Sequence, residues 1–95
     1  MSYTMNDNID KVEDLENWRK RLTYRSWHRG MKEMDLLMGT FADQHVPTFN
    51  AEQLRAYDAV LDIEDPDLYA MYMGQIPPSE AQNSDILTMF LGFKL

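Results

Sequence analysis

Few residues of this sequence are of a type, and at a spacing, that could do covalent or metal chemistry. The two histidines, His28 and His45, have no carboxylate or second histidine at ligand spacing. The H-E-x-x-H, P-loop and G-x-G-x-x-G patterns are absent. So is cysteine, which excludes disulfides and thiolate metal sites. Asp62, Glu64, Asp65 and Asp67 form an acidic cluster of the sort that suggests calcium, yet Pro66 and the missing loop glycine break the EF-hand pattern. Helix capping and surface charge account for that cluster better. The residue types therefore predict neither an enzyme nor a metal site.

The segment from Tyr24 to Asp35 is different in kind. It gathers two aromatics (Tyr24, Trp27), three bases (Arg25, Arg29, Lys32), Gly30 and two acids (Glu33, Asp35) around the start of one helix, a mixed surface of the sort that binds a partner. A purely structural account is available for part of it. Gly30 permits a tight turn, and Glu33 in the first helical turn can accept backbone N–H bonds and favour the dipole. An Arg29–Glu33 pair at i, i+4 has the weaker orientation and is worth at most a few tenths of a kcal/mol, on the order of 0.3. Stability alone is thus a thin reason for Arg29.

The charge pattern points the same way. The formal charge of −7 argues against a protein that coats nucleic acid. Six of the nine bases (Arg19, Lys20, Arg21, Arg25, Arg29, Lys32) nevertheless fall in one acid-free stretch. A solvated face that complements a helix dipole and a patch that meets an acidic protein surface or a phosphate-bearing cofactor are both compatible with it.

The elements that must position these residues are helical. With 95 residues and 44% hydrophobic content the chain can build one core, and no segment alternates with the period of a half-buried strand. The spacing predicts an all-α fold, a compact five-helix bundle in a single small domain over residues 15–95, behind a flexible acidic lead over residues 1–14. Leu15, Trp18 and Leu22 share a face of a first helix from about Val12 to Ser26. Met31, Met34, Leu37, Met38 and Phe41 form the core stripe of a second, which Pro47 ends. Asn50 and Gln53 read as a capping box for a third, with Phe49 stapled to Leu54 and with Tyr57 and Leu61 facing inward. Asp65 is the expected cap of a fourth, with Pro66 at its first position and Gly74 as a left-handed terminator. After the Pro77-Pro78 connector, a fifth helix is expected to turn Ile86, Met89, Phe90 and Phe93 to the core. No apolar run approaches the roughly 20 residues that cross a bilayer, and the acidic start is unlike a signal or transit peptide. The expected location is cytoplasmic in a bacterium, or the mitochondrial matrix in a eukaryote.

Arg29-Gly30-x-x-Glu33, followed by Asp35 and a Leu-rich helix, resembles the R-G-x-x-E signature of the succinate dehydrogenase flavinylation factors. The similarity runs from about Arg21 to Leu95. It takes in Arg21-Leu-x-Tyr24, Gln53-Leu54-x-x-Tyr57, Asp65-Pro66-Asp67-Leu68-Tyr69 and the proline pair. The resemblance implies a five-helix assembly factor that binds the flavoprotein subunit of succinate dehydrogenase, with the related fumarate reductase as a second client. It implies that the factor promotes covalent attachment of FAD to a histidine of that client. FAD then belongs to the client and is not stably bound here, and the factor is a monomer when free. The implied partner-binding residues are Arg29, Gly30, Glu33 and Asp35, with Arg21, Arg25 and Trp27 enlarging the footprint. Two other readings stay open: a chain that itself carries FAD, against which the lack of a phosphate-cradling glycine loop counts, and a helical nucleic-acid-binding module, against which the overall acidity counts.

Overall fold

A computed structural model describes residues 3–95, with side chains from Asp14 onward. Among the described residues there are five helices and no strand: α1 (Tyr3–Trp27), α2 (Lys32–His45), α3 (Ala51–Leu61), α4 (Asp65–Tyr72) and α5 (Asp85–Leu91), with a short 3-10 turn at Val46–Thr48 after α2. The all-α expectation holds. The backbone of α1 begins at Tyr3, ahead of the expected start near Val12. Most of the acidic lead, residues 1–14, falls outside the described side chains, and Met1 and Ser2 fall outside the described residues altogether.

The expected stripe of α2 is the centre of the core. Met34, Leu37, Met38 and Phe41 are buried, with Ala42 beside them, as the 3.6-residue period requires; Met31, expected at the head of the stripe, is instead the N-cap residue ahead of α2 and is only partly buried. Phe41 is the hub: its ring lies 5.7 Å from Tyr57 of α3, 5.5 Å from Phe90 of α5, 5.4 Å from Phe93 and 6.5 Å from Phe49. The edge-on and tilted geometries suit aromatic quadrupoles. Leu22 of α1, Leu54 and Leu61 of α3 and Leu68 of α4 close the cluster.

Local chemistry sets the helix ends. Asn50 accepts from the Gln53 amide and Gln53 accepts from the Asn50 amide, both at 2.8 Å, so the predicted capping box of α3 is complete. Gly74, at φ +77°, ends α4. The Gly74 amide donates to the Met71 carbonyl and the Gln75 amide to the Ala70 carbonyl, which is the Schellman pattern. Ser84, whose hydroxyl accepts from the Leu87 amide at 3.0 Å, starts α5.

Two expectations are corrected. Asp65 does not cap α4: Glu64 holds the extended N-cap position without a side-chain bond, and Asp65 is already helical. Its carboxylate is drawn to an arginine instead, a stronger attraction than a capping amide offers. In α5, Met89 is 41% exposed while Leu87 is fully buried. The helix ends at Leu91, so Phe93 reaches the core from the tail beyond it and the stripe turns toward Leu87.

One polar pair lies in this core. Ser26 is fully buried; its hydroxyl donates to the Leu22 carbonyl at 2.7 Å, which leaves its oxygen to accept from the Tyr57 hydroxyl at 2.6 Å. Burial pushes the Tyr57 phenol from 10.0 up to about 12, against the pull of the nearby Arg29 and Arg25 charges. The folded chain therefore holds this proton more tightly than the unfolded chain does. The stabilisation is fully present below pH 10 and is lost as pH rises through about 12. Urea unfolding curves across that interval are expected to show a steep fall in stability for the natural chain and a shallower one for Tyr57→Phe. Equal slopes in the two proteins would contradict the assignment.

Candidate functional site

The turn between α1 and α2 collects the residues singled out above. Helix α1 stops at Trp27, and Gly30 adopts φ +109°, a conformation that side chains with a Cβ rarely take. This leaves the amides of Arg29 and Gly30 outside both helical ladders. A single oxygen of Asp35, one turn into α2, accepts both, at 2.5 and 3.1 Å. Asp35 thus folds the turn back onto the helix that follows, and the N-cap position, Met31, makes no side-chain bond of its own.

Arg29 closes the other side. Its Nε donates to Asp65 at 2.7 Å, one terminal nitrogen donates to the Leu61 carbonyl, and the other donates to the Ile63 carbonyl at 2.5 Å. Leu61 is the last residue of α3, where the helix dipole favours a cation. The Arg29 side chain is only 9% exposed and that of Asp65 14%. Arg29 therefore pairs with α4 across 36 residues of sequence, not with Glu33.

Arg25 bonds Asp58 at 2.7 Å and Asp62 at 3.2 Å, in a more open pair. Two members of the acidic cluster, Asp62 and Asp65, are thus arginine partners. Among the described residues no group of His, Asp or Glu side chains could hold a metal ion. Nor is any helix there long and apolar enough to cross a membrane.

Trp27 lies flat on α2. A Cβ at Gly39 would come within 2.1 Å of its ring, so this glycine is what lets the two helices approach, and the indole N–H donates to Asp43 at 3.2 Å. A glycine inside a helix costs roughly 1 kcal/mol relative to alanine, and that cost was the available signal for such an approach. Arg21 stands apart, exposed on α1 beside Asp14 and Trp18. Of the implied site residues, then, the structure brings Arg29, Gly30, Glu33 and Asp35 together at one turn. Arg25 is held beside it by α3, Trp27 beneath it, and Arg21 away from it.

What faces outward at the turn is Gly30, Lys32, Glu33 and Leu36, all exposed. Glu33 stands at the rim of a shallow, mainly apolar groove of about 260 Å³ between α2 and α4, lined also by Leu36, Leu37, Tyr69, Tyr72 and Leu95. Leu36 and Leu95 are 50% and 69% exposed. Apolar side chains left uncovered together in one groove are compatible with a contact surface. Sequence reading did not find the groove, because Leu36 alone lies outside the core stripe and Tyr69, Tyr72 and Leu95 reach it only through the tertiary fold.

The class of protein defined here is a small all-α domain built around a pinned surface turn. A family model described as the flavinator of succinate dehydrogenase matches residues 20–94, and the chain belongs to that family. It is similar to a mitochondrial succinate dehydrogenase assembly factor 2 of Aspergillus flavus, 47% identical over 72% of this chain and 23% of the relative. A protein of the same name in Dictyostelium discoideum is 32% identical over 84% of this chain and 57% of the relative. The FAD assembly factor SdhE of Acetobacter pasteurianus is 33% identical over 79% and 69%. The chain thus spans less than two thirds of the first two relatives. No solved structure matches it.

The seating of Trp27 can be tested directly. Gly39→Ala is expected to push the ring off α2, to destabilise the fold by about 1–3 kcal/mol as overpacking does, and to shift the Trp27 emission toward that of a solvated indole. Unchanged emission and stability would mean that the contact does not hold α1 on α2.

Proposed function

We propose that this chain is an assembly factor that binds the flavoprotein subunit of succinate dehydrogenase and promotes the covalent attachment of FAD to a histidine of that subunit. The observation that carries the reading is the family match over residues 20–94, which spans the end of α1, the pinned turn and helices α2 to α5. The relatives named above point to succinate dehydrogenase, and the proposal is confined to that client.

The chemistry belongs to the client. The bond joins its histidine to the 8α-methyl carbon of the isoalloxazine ring; that methyl loses a proton to give a quinone-methide electrophile, and negative charge moves onto the ring. A factor can promote this without touching the flavin. Docking on the immature flavoprotein holds histidine and flavin in near-attack geometry, a conformation that binding selects from the client's ensemble. On this reading the chain is not itself the catalyst, and it holds no cofactor of its own. Gly30, which leaves the backbone uncovered, Glu33 and the Leu36 groove form the docking surface.

The test separates docking from folding. Glu33→Ala removes an exposed first-turn acid, whose dipole contribution is about 1 kcal/mol or less, so the helical circular dichroism signal and the melting temperature are expected to stay close to those of the natural chain. Covalent flavin on the client is expected to fall sharply, as it should with a bulky residue at Gly30. An interface hot spot is worth about 2 kcal/mol or more, roughly a thirtyfold loss of affinity. Glu52→Ala, at an exposed acid of α3, is the control. A folded Glu33→Ala protein that supports full flavinylation would remove Glu33 from the docking surface.

A further inference from the structure

The pinned turn has its outer residues free and its arginine committed, and that division assigns roles within the motif. All three guanidinium nitrogens of Arg29 are engaged inside the chain: Nε by Asp65 at 2.7 Å, the others by the Leu61 and Ile63 carbonyls. Three of its five N–H donors are bonded this way and the side chain is only 9% exposed, so a partner that drew the guanidinium outward would strip these acceptors and leave the Leu61 and Ile63 carbonyls unpaired. On the main chain of the same turn, the amides of Arg29 and Gly30 both depend on one oxygen of Asp35. The turn is therefore gripped from two sides, by α2 through Asp35 and by the α3–α4 joint through Arg29.

We infer that Arg29 serves docking from inside the chain, and that Asp65 of α4 is a positioning residue that sets the pose of Gly30 and Glu33 through it. The inference rests on the proposed docking role of this surface. Its physical content is a dependence that sequence distance hides: a change 35 residues from Gly30, at a side chain 14% exposed, alters how the turn is presented. Neutralising Asp65 removes the charge partner of a nearly buried cation, so the guanidinium is drawn toward water and carries the turn with it. Asp35 keeps its two amide bonds only while that turn stays in place.

The test uses the full chain and the flavoprotein subunit lacking covalent flavin, with two independent readouts. Asp65→Asn keeps the shape and one acceptor oxygen but removes the charge. It is expected to speed amide hydrogen exchange at Arg29 and Gly30 by about tenfold or more while the Phe41 amide is unchanged, because the opening is local. It is also expected to weaken client binding by about tenfold, with the Arg29→Ala/Asp65→Asn double variant no weaker than Arg29→Ala alone, as for residues acting through one contact. If Asp65→Asn does not fold, Asp65→Glu, which keeps the charge but displaces it by one methylene, is read the same way with smaller effects. Unchanged exchange at Arg29 and Gly30 overturns the inference whatever happens to binding. So does undisturbed binding by Asp65→Asn alongside a binding loss in folded Arg29→Ala, since Arg29 would then touch the client itself. Glu33→Ala in the same binding series separates the two claims: an inert Glu33 with faster exchange in Asp65→Asn defeats the docking reading and leaves the positioning role standing.

Discussion

A guanidinium removed from water must find acceptors for its donors and a counter-charge for its cation, and Arg29 finds both on a single joint of the fold. The Leu61 carbonyl at the end of α3, the Ile63 carbonyl of the α3–α4 connection and the carboxylate at the start of α4 converge on it. Removing one partner of such a pair leaves an uncompensated buried charge, which costs about 3–5 kcal/mol. The interaction therefore fixes the direction in which α1 must end, and with it the position of the turn. Asp35 then holds two amides that no helix satisfies, and Gly30 supplies the backbone angle that lets them converge. Glu33 and Leu36 are exposed because these neighbours are committed inward.

Beneath the turn, two apolar contacts set the helix spacing that the arginine requires. Trp27 lies against Gly39, and Phe41, two residues further along α2, touches rings from α3, α5 and the tail. The Ser26–Tyr57 pair ties α1 to α3 within the same layer. Arg25 reinforces it from the surface through Asp58 and Asp62, though pairs this exposed contribute about 1 kcal/mol or less.

The features legible in the sequence were those encoded within a few residues. The Asn50–Gln53 box, the Gly74 terminator and the α2 stripe each follow from spacing over one or two turns, and each is present. The pairing of Arg29 was not legible, because its nearest acid in sequence, Glu33, competes on paper with Asp65, which the fold alone brings close. The same holds for Asp65 as a cap: local preference favoured it, and a charged partner 36 residues away overrode that preference. Met89 was misplaced because a seven-residue helix is too short for its stripe to be read with the right phase. The resemblance pointed to this turn, while its division into inward and outward residues required the structure.

The membership of the chain in the flavinator family and the outward face of its turn meet in one claim, that docking of this chain on the flavoprotein subunit of succinate dehydrogenase promotes the covalent bond to FAD. The most direct measurement is the covalent flavin content of that subunit, produced with FAD in excess, in the presence and absence of this chain. The account predicts that covalent flavin accumulates faster and to a higher level when the chain is present, and that the two proteins co-purify before the bond has formed. Equal covalent flavin with and without the chain, at concentrations where the two are seen to bind, would contradict it.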